Sequence, residues 1–167
     1  MNPEDEVIEL AARLARTGRV DDKTGFGNLL QLLSDLSREL ARSRRSGRVF
    51  DLVVFETNSE LDPSEIAVRL RPWLRDEDVI TRIGGHRYAA IIGDSRSEEG
   101  RRAGHQLQVG LRSVSPFSLG RRVVPAGDQA AATPVGLLRQ ATAALRSASK
   151  LGGEGVVTWK GKAELVN

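Results

Sequence analysis

Two strand-like runs, Val79 to Ile83 and His86 to Ile92, stand either side of Gly84-Gly85. A two-residue glycine connection marks a tight antiparallel hairpin, because the turns that suit the twist of paired strands need positive φ. This hairpin fixes two neighbouring strands locally, and the other elements must pack on them or beside them. Val49 to Glu56 contains Leu52-Val53-Val54-Phe55, apolar enough for a central strand buried on both faces. Before it, a helix ending near Ser46-Gly47 carries Phe26, Leu29, Leu30, Leu33, Leu36 and Leu40 on one face, with Arg38, Arg42, Arg44 and Arg45 on the solvated remainder. Asp62-Pro63-Ser64-Glu65 opens another helix with a capping aspartate, a first-position proline and a glutamate three residues after the cap, turning Ile66, Leu70 and Trp73 or Leu74 inward. A helix from about Ser97 to Arg112, a strand around Leu119 to Pro125, a helix from about Pro134 to Lys150 and a strand Gly155 to Trp159 follow. The pattern is α+β, helices interleaved among strands around one antiparallel hairpin.

At the amino terminus, Asn2, Pro3 and Glu4-Asp5-Glu6 open a short helix over residues 3 to 16, with Val7, Ile8, Leu10, Ala11 and Leu14 at helical spacing. Residues 1 to 19 thus read as helix and linker, and 20 to 167 as one domain. The apolar face of the leading helix has to pack on this domain, on a second copy or on a partner, so a homodimer and a protein partner are both expected outcomes. The absence of cysteine excludes disulfides and thiolate metal sites and agrees with a reducing compartment. No apolar run reaches the roughly 20 residues of a membrane span and no signal-peptide core is present, which reads as a cytoplasmic protein without membrane association. His86 and His105 are the only histidines and lack companions at metal-ligand spacing, so neither a metal nor a cofactor is expected.

Arginine supplies 21 of the 25 basic residues, yet the net charge is only +3, too small to demand a nucleic-acid partner. The cluster Arg42, Arg44, Arg45 and Arg48 reads first as the wet end of a helix, and nucleic-acid binding ranks last among the functions considered. Arginine also recognises phosphate bidentately and stacks on flat rings. Position has to separate compositional bias from function.

The order of elements around the diglycine hairpin resembles the GGDEF family of diguanylate cyclases, whose palm-like, ferredoxin-like domain condenses two GTP into cyclic di-GMP. The resemblance runs from about Val20 to Trp159. At the family's opening Asp-x-Leu-Thr-Gly-x-x-Asn motif the chain has Asp21, Thr24, Gly25 and Asn28, with Lys23 in place of leucine. Arg82-Ile83-Gly84-Gly85 matches the approach to the signature, and Ala143-Ala144-Leu145, Ala148 and Gly152 follow the family's last helix and its exit.

The departures imply a lost activity. After the glycines the family places two acidic residues and an aromatic, whereas this chain has Gly84-Gly85-His86-Arg87-Tyr88. A guanidinium where magnesium needs a carboxylate repels the ion, and phosphoryl transfer relies on metal for charge neutralisation. Glu56, at the end of the central strand, occupies roughly the place of the family's other metal-binding aspartate, and a single carboxylate is a thin basis for a metal site. Between Glu56 and Asp62 the chain is shorter than the family by roughly ten residues, close to three helical turns, so the guanine-reading positions have no match. The family's phosphate-holding lysine falls at Ser149, with Lys150 one residue off phase. The resemblance therefore implies a protein that is not an enzyme.

Many members of the family carry a separate product-binding Arg-x-x-Asp motif five residues before the signature. Arg75-Asp76-Glu77-Asp78 ends there, and the resemblance assigns phosphate clamping to Arg75 and guanine-edge recognition to Asp78. Asp76 and Glu77 add negative charge, which arginines on neighbouring elements such as Arg71, Arg101 or Arg102 would offset. The leading expectation is an inactive cyclic di-GMP effector. The alternative is a ligand-free scaffold acting through protein contacts.

Overall fold

The computed structural model describes residues 18–57, 60–76, 78–125, 132–152, 155–161 and 163–165. The leading helix expected over residues 3 to 16 lies outside them. The described elements are α1 (Leu29–Ser46), β1 (Phe50–Thr57), α2 (Pro63–Leu70) followed by a single 3-10 turn (Arg71–Trp73), β2 (Val79–Gly84), β3 (Arg87–Ile92), α3 (Glu98–Val114), β4 (Phe117–Val124), α4 (Pro134–Lys150), β5 (Val156–Trp159) and β6 (Ala163–Leu165). Asn28, Asp62, Ser97 and Thr133 cap the four helices, each with extended backbone and a side-chain oxygen accepting a first-turn amide.

The sheet order is β2-β3-β1-β4-β5-β6, and every pairing is antiparallel except β4 with β5. β3 lies between β1 and β2, and β1 lies between β3 and β4, so α2 and α3 each span a split β-α-β unit, the ferredoxin-like arrangement expected of a palm-like domain. β1 alternates strictly. Val53 and Phe55 enter a core closed by α2 and α3, while Phe50, Leu52 and Val54 enter a second core closed by α1 and α4. The double burial expected for this strand is what holds the two helical layers on one sheet.

Four details differ from the sequence expectation. Leu32, Leu36 and Leu40 form the buried line of α1, whereas Leu29 and Leu30 are 42% and 56% exposed. Phe26 belongs to the loop before the Asn28 cap and enters the other core, because the chain reverses at Gly25, which has φ 71°. The hairpin turn falls on Gly85-His86, with Gly84 kept in β2 at a register irregularity, and both glycines have positive φ. The short β6 has too little apolar pattern to be visible in the sequence and exists by antiparallel pairing with β5.

Candidate functional site

The matched residues of the opening motif serve architecture. Asp21 Oδ2 accepts hydrogen bonds from Thr24 N at 3.0 Å and Thr24 Oγ1 at 2.7 Å, and Phe26 N donates to Thr24 Oγ1 at 3.1 Å. Asn28 Oδ1 accepts from Gln31 N to cap α1, while its Nδ2 donates to Gly18 O at 2.7 Å. Arg82 fastens this loop to the hairpin, with Nη1 donating to Asp21 Oδ1 at 2.7 Å and Nε to Gly85 O at 2.9 Å. Both members of the ion pair are 14% exposed.

The Asp21 carboxyl is held below its ordinary 3.8: partial burial raises it, and the hydrogen bonds from Thr24 and Arg82 outweigh that. Such a group adds stability that is complete above the unfolded-state value and is lost as pH falls through the lower folded-state one. Asp21→Asn is expected to cost about 1–3 kcal/mol at neutral pH, and progressively less as the acid limb is descended. Urea unfolding of both proteins along a pH series checks this; a loss of equal size at every pH would show that the ionised carboxylate is not what holds the loop.

At the hairpin, register decides the chemistry. Phe55 faces Tyr88 and Glu56 faces Arg87 across β1 and β3. Phe55 and Tyr88 stack at 5.3 Å between ring centroids, and Tyr88 is fully buried, as expected of a core aromatic. Burial pushes its hydroxyl up to about 12. One residue along, on the opposite face, Arg87 Nη2 and Nε donate to Glu56 Oε2 at 3.0 and 3.3 Å. The Glu56 carboxylate, which the family resemblance places at a metal-ligand position, is thus paired with a guanidinium. No group of three or more potential metal-ligating side chains occurs among the described residues. This donor set does not suit magnesium, which takes several hard oxygen ligands and is repelled by an adjacent fixed cation. Ser149, which the family resemblance aligns with a phosphate-holding lysine, turns its hydroxyl back onto Leu145 O at 3.0 Å.

Arg75 and Asp78 lie at the far end of β2 from the hairpin tip, in the turn after α2. They meet each other: Arg75 N donates to Asp78 Oδ2 at 2.8 Å, and Arg75 Nε and Nη2 donate to Asp78 Oδ1 at 3.2 and 3.1 Å. Their side chains are 35% and 19% exposed, so the pair is a formed, half-buried clasp. It lines a groove of about 290 Å³ that also receives Arg42 from α1 and Arg48 from the turn after it. Carboxylates accompany these arginines, with Arg42 Nη1 3.3 Å from Glu39 and Arg48 Nη1 3.9 Å from Asp94.

Of the arginines considered as companions to Arg75, none enters this groove. Arg71 lies over the Phe26 ring at 5.4 Å, Arg102 pairs with Glu98 at 2.6 Å, and Arg101 lines a different cavity. Arg42 and Arg48 take that place. Their sequence signal is a basic helix end, and nothing local shows that the end of α1 abuts the turn before β2; sheet order puts them together.

No family model matches the sequence, and no curated protein matches it. Solved structures do match the fold. The coiled coil and GGDEF domain of DgcB from Caulobacter crescentus, solved in complex with c-di-GMP, superposes with a TM-score of 0.72 at 16% identity, covering 92% of this chain and 92% of that one. The diguanylate cyclase SiaD from Pseudomonas aeruginosa, in complex with its activator SiaC, gives 0.71 at 21% identity, covering 93% of this chain and 67% of that one. The GGDEF domain of FimX from the same organism gives 0.69 at 16% identity, over 83% and 98%. These superpositions, over most of the chain, give this chain the fold of the GGDEF domains.

Proposed function

We propose that this protein is a catalytically inactive GGDEF-like signalling module that binds cyclic di-GMP in the groove of Arg42, Arg48, Arg75 and Asp78. The observation that carries the reading is the convergence of Arg42 and Arg48, from the end of α1 and the turn after it, with Arg75 from the turn before β2, on one groove that also holds the Arg-x-x-Asp clasp. A ligand with two phosphates and two guanines needs both chemistries. Guanidinium forks take phosphate oxygens bidentately, and a carboxylate accepts from a guanine edge. Arg75 holds Asp78 in place beforehand, so less ordering remains to be done on binding. Inactivity rests on the Glu56–Arg87 pair.

The second reading is a scaffold that works through protein contacts. It is favoured by an open apolar patch where Leu29, Leu30 and Leu33 of α1 adjoin Ile83 and the Asp21–Arg82 pair.

Calorimetric titration of the protein with cyclic di-GMP separates the two readings. Saturable binding below about 100 µM, roughly 5.5 kcal/mol, is expected; its absence sinks the receptor and leaves the scaffold. In a parallel incubation with GTP and magnesium no cyclic di-GMP is expected to accumulate, and product formation would overturn the assignment as inactive.

A further inference from the structure

A second cavity, of about 220 Å³, lies between α3 and the sheet, and the proposed function does not use it. Its floor is Asp51. In β1 this residue has the same parity as Val53 and Phe55, so its side chain points toward α3, among walls that include Val53, Ile92 and Leu119. Asp51 is 9% exposed, and its Oδ1 is buried without a hydrogen-bond partner among the described residues. Burial pushes its carboxyl above the usual range, against a hydrogen bond from Ser95 and the charges of Arg121 and Arg96. A buried acceptor left bare is costly, and most such atoms in folded proteins are satisfied by something.

The cations of this cavity are Arg121 and Arg101. Arg121 of β4 stands opposite Val53 of β1 and so faces the same side of the sheet as Asp51. Its Nε donates to Thr158 Oγ1 at 3.1 Å, which anchors the guanidinium beside the cavity it lines. Arg101 is exposed on the first turns of α3, at the mouth. A carboxylate with one bare oxygen on the floor and guanidiniums along the walls oppose a purely anionic ligand at one end and a purely cationic ligand at the other. A molecule carrying both charges satisfies both ends. The volume is below the range of drug-sized ligands, which limits the occupant to a few heavy atoms beyond its charged groups.

We propose that this cavity binds a small zwitterion of α-amino-acid size, with its ammonium on Asp51 and its carboxylate between Arg101 and Arg121.

The probes are the common L-α-amino acids, each titrated calorimetrically into the intact protein up to about 5 mM. At least one is expected to bind saturably, and its affinity to fall at least about tenfold in Asp51→Asn. Arg101→Gln, an exposed change that leaves the fold intact, is expected to weaken the same probe. The N-acetyl derivative and the methyl ester, each lacking one charge, are both expected to fail. Absence of binding by every probe overturns the proposal, and so does a binder that is indifferent to Asp51→Asn or whose ester binds equally well. Cyclic di-GMP affinity is expected to be unchanged in Asp51→Asn, so the two sites are judged separately.

Discussion

Gly120→Ala is expected to cost about 3–5 kcal/mol, the range of severe core disruption, and to lower the melting temperature by on the order of 10 °C. Gly120 lies in the middle of β4, paired with Val54 of β1. A Cβ added there would lie 2.2 Å from Leu145 N and 2.3 Å from Ala141 O. Both obstacles are backbone atoms of α4, so no side-chain rotation relieves the clash; the helix has to lift off the sheet. α4 contributes Leu137, Ala141 and Leu145 to the core, and its displacement would open that layer along its length. Glycine is needed here for close approach. At Gly47, by contrast, an added Cβ would meet nothing within 4 Å, and the glycine serves by its φ of 67° at the end of α1. Thermal unfolding followed by circular dichroism checks the prediction. A Gly120→Ala protein that melts with the wild type would mean that α4 does not pack against β4 at this distance.

Arg75→Ala is expected to weaken cyclic di-GMP binding at least about 100-fold, roughly 2.7 kcal/mol. Two losses combine. The ligand loses a charge-assisted fork, and Asp78 loses the two guanidinium hydrogen bonds that orient its carboxylate. The backbone bond from residue 75 to Asp78 survives the substitution, so the turn is expected to persist and the loss to fall on binding. Arg42→Ala is expected to give a smaller loss, and Arg139→Ala, on the exposed side of α4, none. If all three variants bind as the wild type does, the groove is not the ligand site. A uniform decline across the three would instead indicate general electrostatic attraction, which high salt would abolish.

The two readings of the arginine excess divide by position. Arg38 pairs with Asp35, Arg69 with Glu65 and Arg102 with Glu98 along the faces of their own helices, contacts worth a few tenths of a kcal/mol each. Arg82 and Arg87 make cross-element pairs that organise the hairpin. Arg42, Arg48 and Arg75 meet in a groove. Nothing in the immediate neighbourhood of each arginine distinguishes these groups, because the distinction lies in which other segment it reaches.

Local signals are legible where one short stretch contains its own reason. Asp62-Pro63-Ser64-Glu65 caps α2 as its residue types require, with Asp62 Oδ1 accepting from Ser64 N at 2.9 Å. The apolar run 52–55 is buried on both faces, and both glycines of the hairpin take positive φ, with the turn itself shifted one residue onto Gly85-His86. The buried face of α1 is ambiguous in the sequence because Leu29, Leu30 and Leu33 keep helical spacing as well as Leu32, Leu36 and Leu40 do. Periodicity alone cannot choose between two apolar lines on one helix, and only the sheet beneath it selects one.

By itself the sequence determined most of the elements, the Asp62 cap of α2, the α+β class and the presence of His86 and Arg87 directly after the glycine pair. The tertiary structure alone decided what those residues do. Cross-strand register at β1 and β3 put Arg87 on Glu56; the meeting of the end of α1 with the turn before β2 made a groove of Arg42, Arg48 and Arg75; and packing of α3 over β1 buried Asp51 with one oxygen bare. Caps and turns are settled by bonds a few residues long, which the local sequence contains. Charge pairing and cavities depend on segments far apart in the chain, whose meeting is fixed only when the whole sheet has assembled.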